Sequence, residues 1–124
     1  MAEKILIVDD SVSMRQMTNM ILGGAGYEVV QAVDGKDGLA KMSADIKVVI
    51  TDYNMPNMNG IEFIKAVRSG AVNKSVPILM VTTESEDSKK QEGKNAGATG
   101  WITKPFDKDT LLQTINKVAG SLDF

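Results

Sequence analysis

Three observations predict an α/β fold with a doubly wound parallel sheet. Apolar runs short enough for strands alternate with segments of helical period. The runs at Lys4–Val8, Ile46–Thr51 and Pro77–Val81 are continuously apolar at their centres, as in strands buried on both faces of a parallel sheet. Each run stops abruptly at a polar residue.

In chain order, Lys4–Val8 is the first strand and ends at Asp9-Asp10. Ser11 or Ser13 can cap a helix from about Met14 to Gly23, with Met14, Met17, Ile21 and either Met20 or Leu22 facing inward. Gly23-Gly24-Ala25-Gly26 ends it. Tyr27 to Ala32 reads as a shorter strand, and Asp34 caps a helix through about Ser43 with Leu39 and Met42 inward. The strand Ile46–Thr51 stops at Asp52, and Pro56 prevents further pairing. Asn59 with Glu62 forms a capping pattern for a helix to about Arg68, its apolar positions being Ile61, Ile64, Ala66 and Val67. The fourth strand, Pro77–Val81, ends at Thr82-Thr83. Ser85 to about Ala96 is a charged helix interrupted by Gly93, which costs roughly 1 kcal/mol relative to Ala and predicts a soft element. Gly100–Thr103 is the last strand, followed by Lys104-Pro105. Asp107 caps a final helix through about Ala119, with Leu111, Leu112, Ile115 and Val118 toward the core.

Composition bounds the function. A chain of 124 residues suits one compact domain, 1–124. With 14 basic and 16 acidic residues, the net charge of -2 points to neither nucleic acid nor membrane. Without cysteine or histidine there is no disulfide, no thiolate or imidazole metal site and no Ser-His-Asp triad. No apolar stretch approaches the about 20 residues of a membrane helix, nor does the amino terminus resemble a signal peptide, so the reading is a cytoplasmic monomer.

The strand ends carry the chemistry. In a parallel sheet Asp9-Asp10, Asp52, Thr82 and Lys104 share the carboxyl edge, where open α/β sheets bind ligands. Three carboxylates together repel one another and call for a cation. Oxygen ligands alone select Mg²⁺, Mn²⁺ or Ca²⁺, and Mg²⁺ fits best because it binds through few carboxylates plus phosphate oxygens. A lysine ammonium and a threonine hydroxyl complement a phosphoryl group. This set suits a carboxylate nucleophile forming an aspartyl-phosphate, with Asp52 as acceptor.

These residues resemble the receiver domain of two-component response regulators over about Lys4 to Val118. The matching elements are Asp9-Asp10, Asp52 with Met55-Pro56 and Gly60, Thr82, and Lys104-Pro105. Thr51 to Gly60 and Lys104-Pro105-Phe106 are closest to the stand-alone chemotaxis regulators of that family. The resemblance implies a flavodoxin-like (βα)5 fold with strand order 2-1-3-4-5. It implies that Asp52 takes a phosphoryl group from a phosphohistidine on a kinase, with Asp9, Asp10, Asp52 and the Asn54 backbone carbonyl holding Mg²⁺. Lys104 would pair with the phosphate, and the Lys104-Pro105 peptide would be cis. Thr82 would swing toward the phosphate and Trp101 would follow it inward as the switch. Asn54 and Glu84 would flank the hydrolytic water and make the signal short-lived. Such a protein is no enzyme beyond its own phosphorylation and dephosphorylation. Its partners would be the kinase, a flagellar motor switch protein and a phosphatase that hastens decay. Thr83 and Trp101 are bulkier than the family's usual residues there, which bears on the ease of switching.

Taken singly, each element has a plainer reading. Asp9-Asp10 could be a capping pair, Asp52 a turn residue, Lys104 a solvated charge, Thr82 a backbone-bonding hydroxyl, and Trp101 packing. Lys89, Lys90 and Lys94 fit a solvated helix face as well as a partner surface shared with Trp101 and Lys117. A haloacid-dehalogenase-type phosphatase would need an acid where Asn54 stands. A flavodoxin would need a phosphate loop where Asp9-Asp10 would repel FMN. The open alternative is a phosphorelay intermediate or phosphate sink that passes the phosphoryl group to another histidine protein.

Overall fold

The computed structural model describes residues 3–83 and 87–120. Five strands, β1 (Lys4–Val8), β2 (Glu28–Ala32), β3 (Ile46–Asp52), β4 (Ile78–Thr82) and β5 (Gly100–Thr103), form one parallel sheet in the order β2-β1-β3-β4-β5. Between and after them run α1 (Val12–Gly24), α2 (Gly35–Lys41), α3 (Gly60–Ser69), α4 (Asp87–Ala96) and α5 (Lys108–Gly120). This is the flavodoxin-like order expected of the chain.

The continuous apolar strands are buried on both faces because successive side chains point to opposite sides. Leu6, Val8, Val49 and Met80 meet Ile61, Phe63, Ile64 and Val67 of α3 on one side. Ile5, Ile7, Val48, Ile50, Leu79 and Val81 meet Leu22 of α1 and Leu111, Ile115 and Val118 of α5 on the other. Ser11 caps α1, Asp34 caps α2, and Asn59 with Glu62 makes a full capping box on α3.

Several expected details are corrected. In α1, of the two alternatives Leu22 is the buried one and Met20 is 75% exposed, while Met17 is 38% exposed and Thr18 is buried instead. The helix begins at Val12, so its buried stripe falls on a small polar residue that a search for apolar periodicity passes over. The second helix ends at Lys41, short of Ser43, with Met42 as its cap. On α3, Phe63 is fully buried and was absent from the expected stripe; its ring lies where a Cβ on Gly38 would stand, 2.9 Å from Cε1. α4 is continuous through Gly93. Its expected start at Ser85 lies outside the described residues, as does Glu84.

Candidate functional site

The site is built by strands that end together. Asp52 is the last residue of β3, at the register position of Val81, one residue before the end of β4. Asp9 follows β1 directly, and its N–H donates to the Ala32 carbonyl at 3.1 Å, extending the pairing of β1 with β2 by one bond. Asp9 and Asp52 are buried and Asp10 is exposed, yet one carboxylate oxygen from each lies within 4.8 Å of the others.

Lys104 reaches into this cluster. Its Nζ lies 3.2 Å from Asp9 Oδ2 and 3.4 Å from Asp52 Oδ1. Asp52 Oδ1 also accepts the Tyr53 N–H at 2.9 Å. Asp9 is fixed twice: its Oδ1 accepts the Ser11 N–H at 2.9 Å, and its carbonyl accepts from Arg15 Nη1 at 2.6 Å. Burial pushes the Asp52 carboxyl above the usual carboxylate range; Lys104 pulls it back and the Asp9 charge adds to the rise. One ammonium thus bridges two of the three carboxylates, and the burial of Asp52 remains incompletely compensated. An all-oxygen donor set of this kind fits a hard divalent cation such as Mg²⁺.

Thr82, wholly buried, ends β4, and its carbonyl accepts the Lys104 N–H at 2.8 Å. The Lys104-Pro105 peptide is cis. Asn54 is exposed in the turn after β3. That turn is tied to α2: Asn57, at φ 67°, donates its side-chain N–H to Asp34 Oδ2 at 3.0 Å, and the Met58 side chain fills the space beside Gly35. Gly60 is pressed against the strand end, where a Cβ would lie 2.3 Å from the Asp52 carbonyl oxygen.

Trp101 sits on β5 opposite Met80, half-buried, with its Nε1 buried and unpartnered. Its ring packs against Gly93 of α4. Lys90, Lys117, Thr114 and Val118 line a groove beside it, so Lys90 and Lys117 lie near Trp101 as expected. Lys94 is exposed in the last turn of α4. Lys89 departs from the expected surface: its Nζ donates to the Tyr53 hydroxyl at 3.2 Å and stands 5.1 Å from the ring centroid. Tyr53 and Glu92, whose carboxylate accepts the same hydroxyl at 2.5 Å, were not anticipated. The available signal was Lys89 and Glu92 three apart on one helix, beside the residue that follows Asp52.

Among the described residues no helix is long and apolar enough to cross a membrane. The family model of the response regulator receiver domain matches residues 5–116. The chemotaxis protein CheY1 of Helicobacter pylori is 41% identical over 123 residues, 97% of this chain and 99% of that protein. CheY-3 of Vibrio cholerae is 38% identical, covering 93% of this chain and 90% of that protein. The crystal structure of Vibrio cholerae chemotaxis protein CheY4 superposes with a TM-score of 0.91 at 54% identity, over 95% of this chain and 99% of that one. Strand order, the acidic edge and the matches over nearly the full length agree, and the chain belongs to the response regulator receiver domain family, in its CheY-like, chemotaxis-related branch.

Proposed function

We propose that this receiver is switched by phosphorylation of Asp52. The observation that carries the reading is the Lys104 ammonium held between Asp9 and Asp52 at a three-carboxylate edge. Oδ1 of Asp52 is engaged by Tyr53 N–H and Lys104, so Oδ2 is the oxygen left to attack phosphorus. The new O–P bond forms as the P–N bond of a kinase phosphohistidine breaks, and the departing imidazole keeps the electron pair and takes a proton. Mg²⁺, held by Asp9, Asp10, Asp52 and the Asn54 carbonyl, would supply charge neutralisation of the phosphoryl oxygens. Lys104 follows the charge from carboxylate to phosphoryl group, and the Thr82 hydroxyl completes the set. Burial of Asp52 excludes competing water from its back.

The protein then works as a signal carrier rather than as an enzyme on another substrate. Its output surface is the groove of Lys90, Trp101 and Lys117 between α4, β5 and α5, which would bind a flagellar motor switch protein.

Trp101, the single tryptophan, gives the test. Its fluorescence should respond to Mg²⁺ and again to the phosphoryl mimic beryllofluoride, and Asp52→Asn should lose the second response. Metal binding without a beryllofluoride response would refute the switch.

A further inference from the structure

We propose that Tyr53 is a positioning residue that latches α4 in its resting place and couples it to Asp52; this rests on the reading of Asp52 as acceptor. Tyr53 is a buried residue, 8% exposed, and lies directly after the acceptor. Its backbone is gripped on both sides: the N–H donates to Asp52 Oδ1 at 2.9 Å, and the carbonyl accepts the Gly60 N–H at 2.9 Å. The hydroxyl uses both of its capacities on α4. It donates to Glu92 Oε1 at 2.5 Å and accepts from Lys89 Nζ at 3.2 Å. Both bonds are charge-assisted, the stronger class of hydrogen bond.

α4 has little apolar surface of its own with which to hold its place. Its sequence, Asp87–Ala96, offers Ala96 as its only buried apolar side chain among the described residues. Its carboxyl end is anchored at Gly97, whose carbonyl accepts from Arg68 Nε at 3.0 Å and Nη2 at 2.7 Å. Tyr53 therefore holds the span between the anchored end and the active edge. When Asp52 becomes an acyl phosphate, Oδ1 loses its anionic character and is a weaker acceptor for the Tyr53 N–H. Lys104 also shifts toward the phosphoryl oxygens. The latch loses the backbone pose that aims its phenol, and α4 is free to move with the Trp101 face.

Beryllofluoride titration of Tyr53→Phe at saturating Mg²⁺, read by Trp101 fluorescence, tests this. Removing one hydroxyl leaves the ring's packing intact. The apparent dissociation constant should fall about five- to tenfold, because activation no longer has to break the latch. Glu92→Gln retains an acceptor oxygen and should give a smaller shift, and Glu92→Ala added to Tyr53→Phe should change nothing further. Amide exchange of the metal-free variant should quicken in α4 and not in α1. A merely structural role would lower the melting temperature without tightening beryllofluoride binding. A wild type that responds with a Tyr53→Phe midpoint unchanged or weakened overturns the latch alone. A wild type indifferent to beryllofluoride overturns the acceptor reading and the latch with it.

Discussion

Gly93 faces the Trp101 ring so closely that a Cβ there would lie 3.2 Å from Cζ3. Met80 closes the same space at 3.4 Å. The residue that looked like a weak point in α4 is also the one that makes room for a bulky indole on β5. Gly93→Ala should gain less than the roughly 1 kcal/mol that helix propensity alone would give, because the rigid ring must yield. Its signature is optical: a red-shifted Trp101 emission with stronger acrylamide quenching. An unchanged spectrum would show that the ring does not rest on Gly93.

Asp52 stabilises the fold when neutral. Burial, the main cause, raises its carboxyl above the usual range, with Lys104 opposing and Asp9 adding. A group raised in the folded state contributes stability below its unfolded pKa and loses it as pH rises through the folded one. At neutral pH the ionised side chain is therefore a cost. Asp52→Asn should raise the melting temperature in chelator by ~4 °C, about 1 kcal/mol, with the gain vanishing near pH 3, where the wild-type carboxyl is protonated as well. Calorimetry at both pH values checks it, and equal melting temperatures at neutral pH would show that Lys104 compensates fully.

Lys104 would compete with a cation at the acidic edge. Its ammonium lies 3.2 Å from Asp9 Oδ2, inside the cluster a cation would occupy. Lys104→Met should therefore tighten Mg²⁺ binding by at least about tenfold, since a unit charge about 4 Å away is worth about 4 kcal/mol at the effective dielectric of a protein surface, above the 1.4 kcal/mol of a tenfold change. Isothermal titration calorimetry reads this directly, and weaker Mg²⁺ binding in the variant would contradict it.

Arg68 is a cation that, among the described residues, is held by backbone carbonyls rather than by a carboxylate. Besides the Gly97 carbonyl, its Nη1 donates to the carbonyls of Lys74 at 2.6 Å and Val76 at 2.7 Å, and burial lowers its pKa. Arg68→Met should cost about 2–3 kcal/mol in urea unfolding, because it orphans three acceptors and loosens the joint between α3, β4 and α4. A loss below about 1 kcal/mol would mean that water satisfies those carbonyls.

Legibility in the sequence followed the range of the interaction. Asp9, Asp10, Asp52, Thr82 and Lys104 were readable because each stands where an apolar run breaks off, a local signal, and the parallel topology does the gathering. The five strands were readable for the same reason, with bounds moved by a residue or so at Glu28, Asp52 and Ile78. On the inner face of α1, Ile21 and Leu22 stand as expected, but Met17 is exposed and the small polar Thr18, which apolar periodicity does not flag, is buried there. The site's wider connections were not legible. Tyr53 meets Lys89 and Glu92 across 36 and 39 residues, and no local pattern encodes a phenol crossing between elements. Gly93 could be read for its backbone freedom, but the indole it accommodates belongs to a different element, β5.

The turn after Asp52 has unequal flanks. Toward α2 it is braced by Asn57 on Asp34, by Met58 against Gly35 and by Gly60 wedged on the strand end. Toward α4, among the described residues, the Tyr53 hydroxyl reaches Lys89 and Glu92. In mechanical terms the loop is clamped on the α2 shoulder and hinged on the other, so a load applied at Asp52 would be relieved toward α4. The half of the molecule formed by β1, α1, β2 and α2 would then serve as a fixed frame, with displacement delivered to the side that carries the groove of Lys90, Trp101 and Lys117.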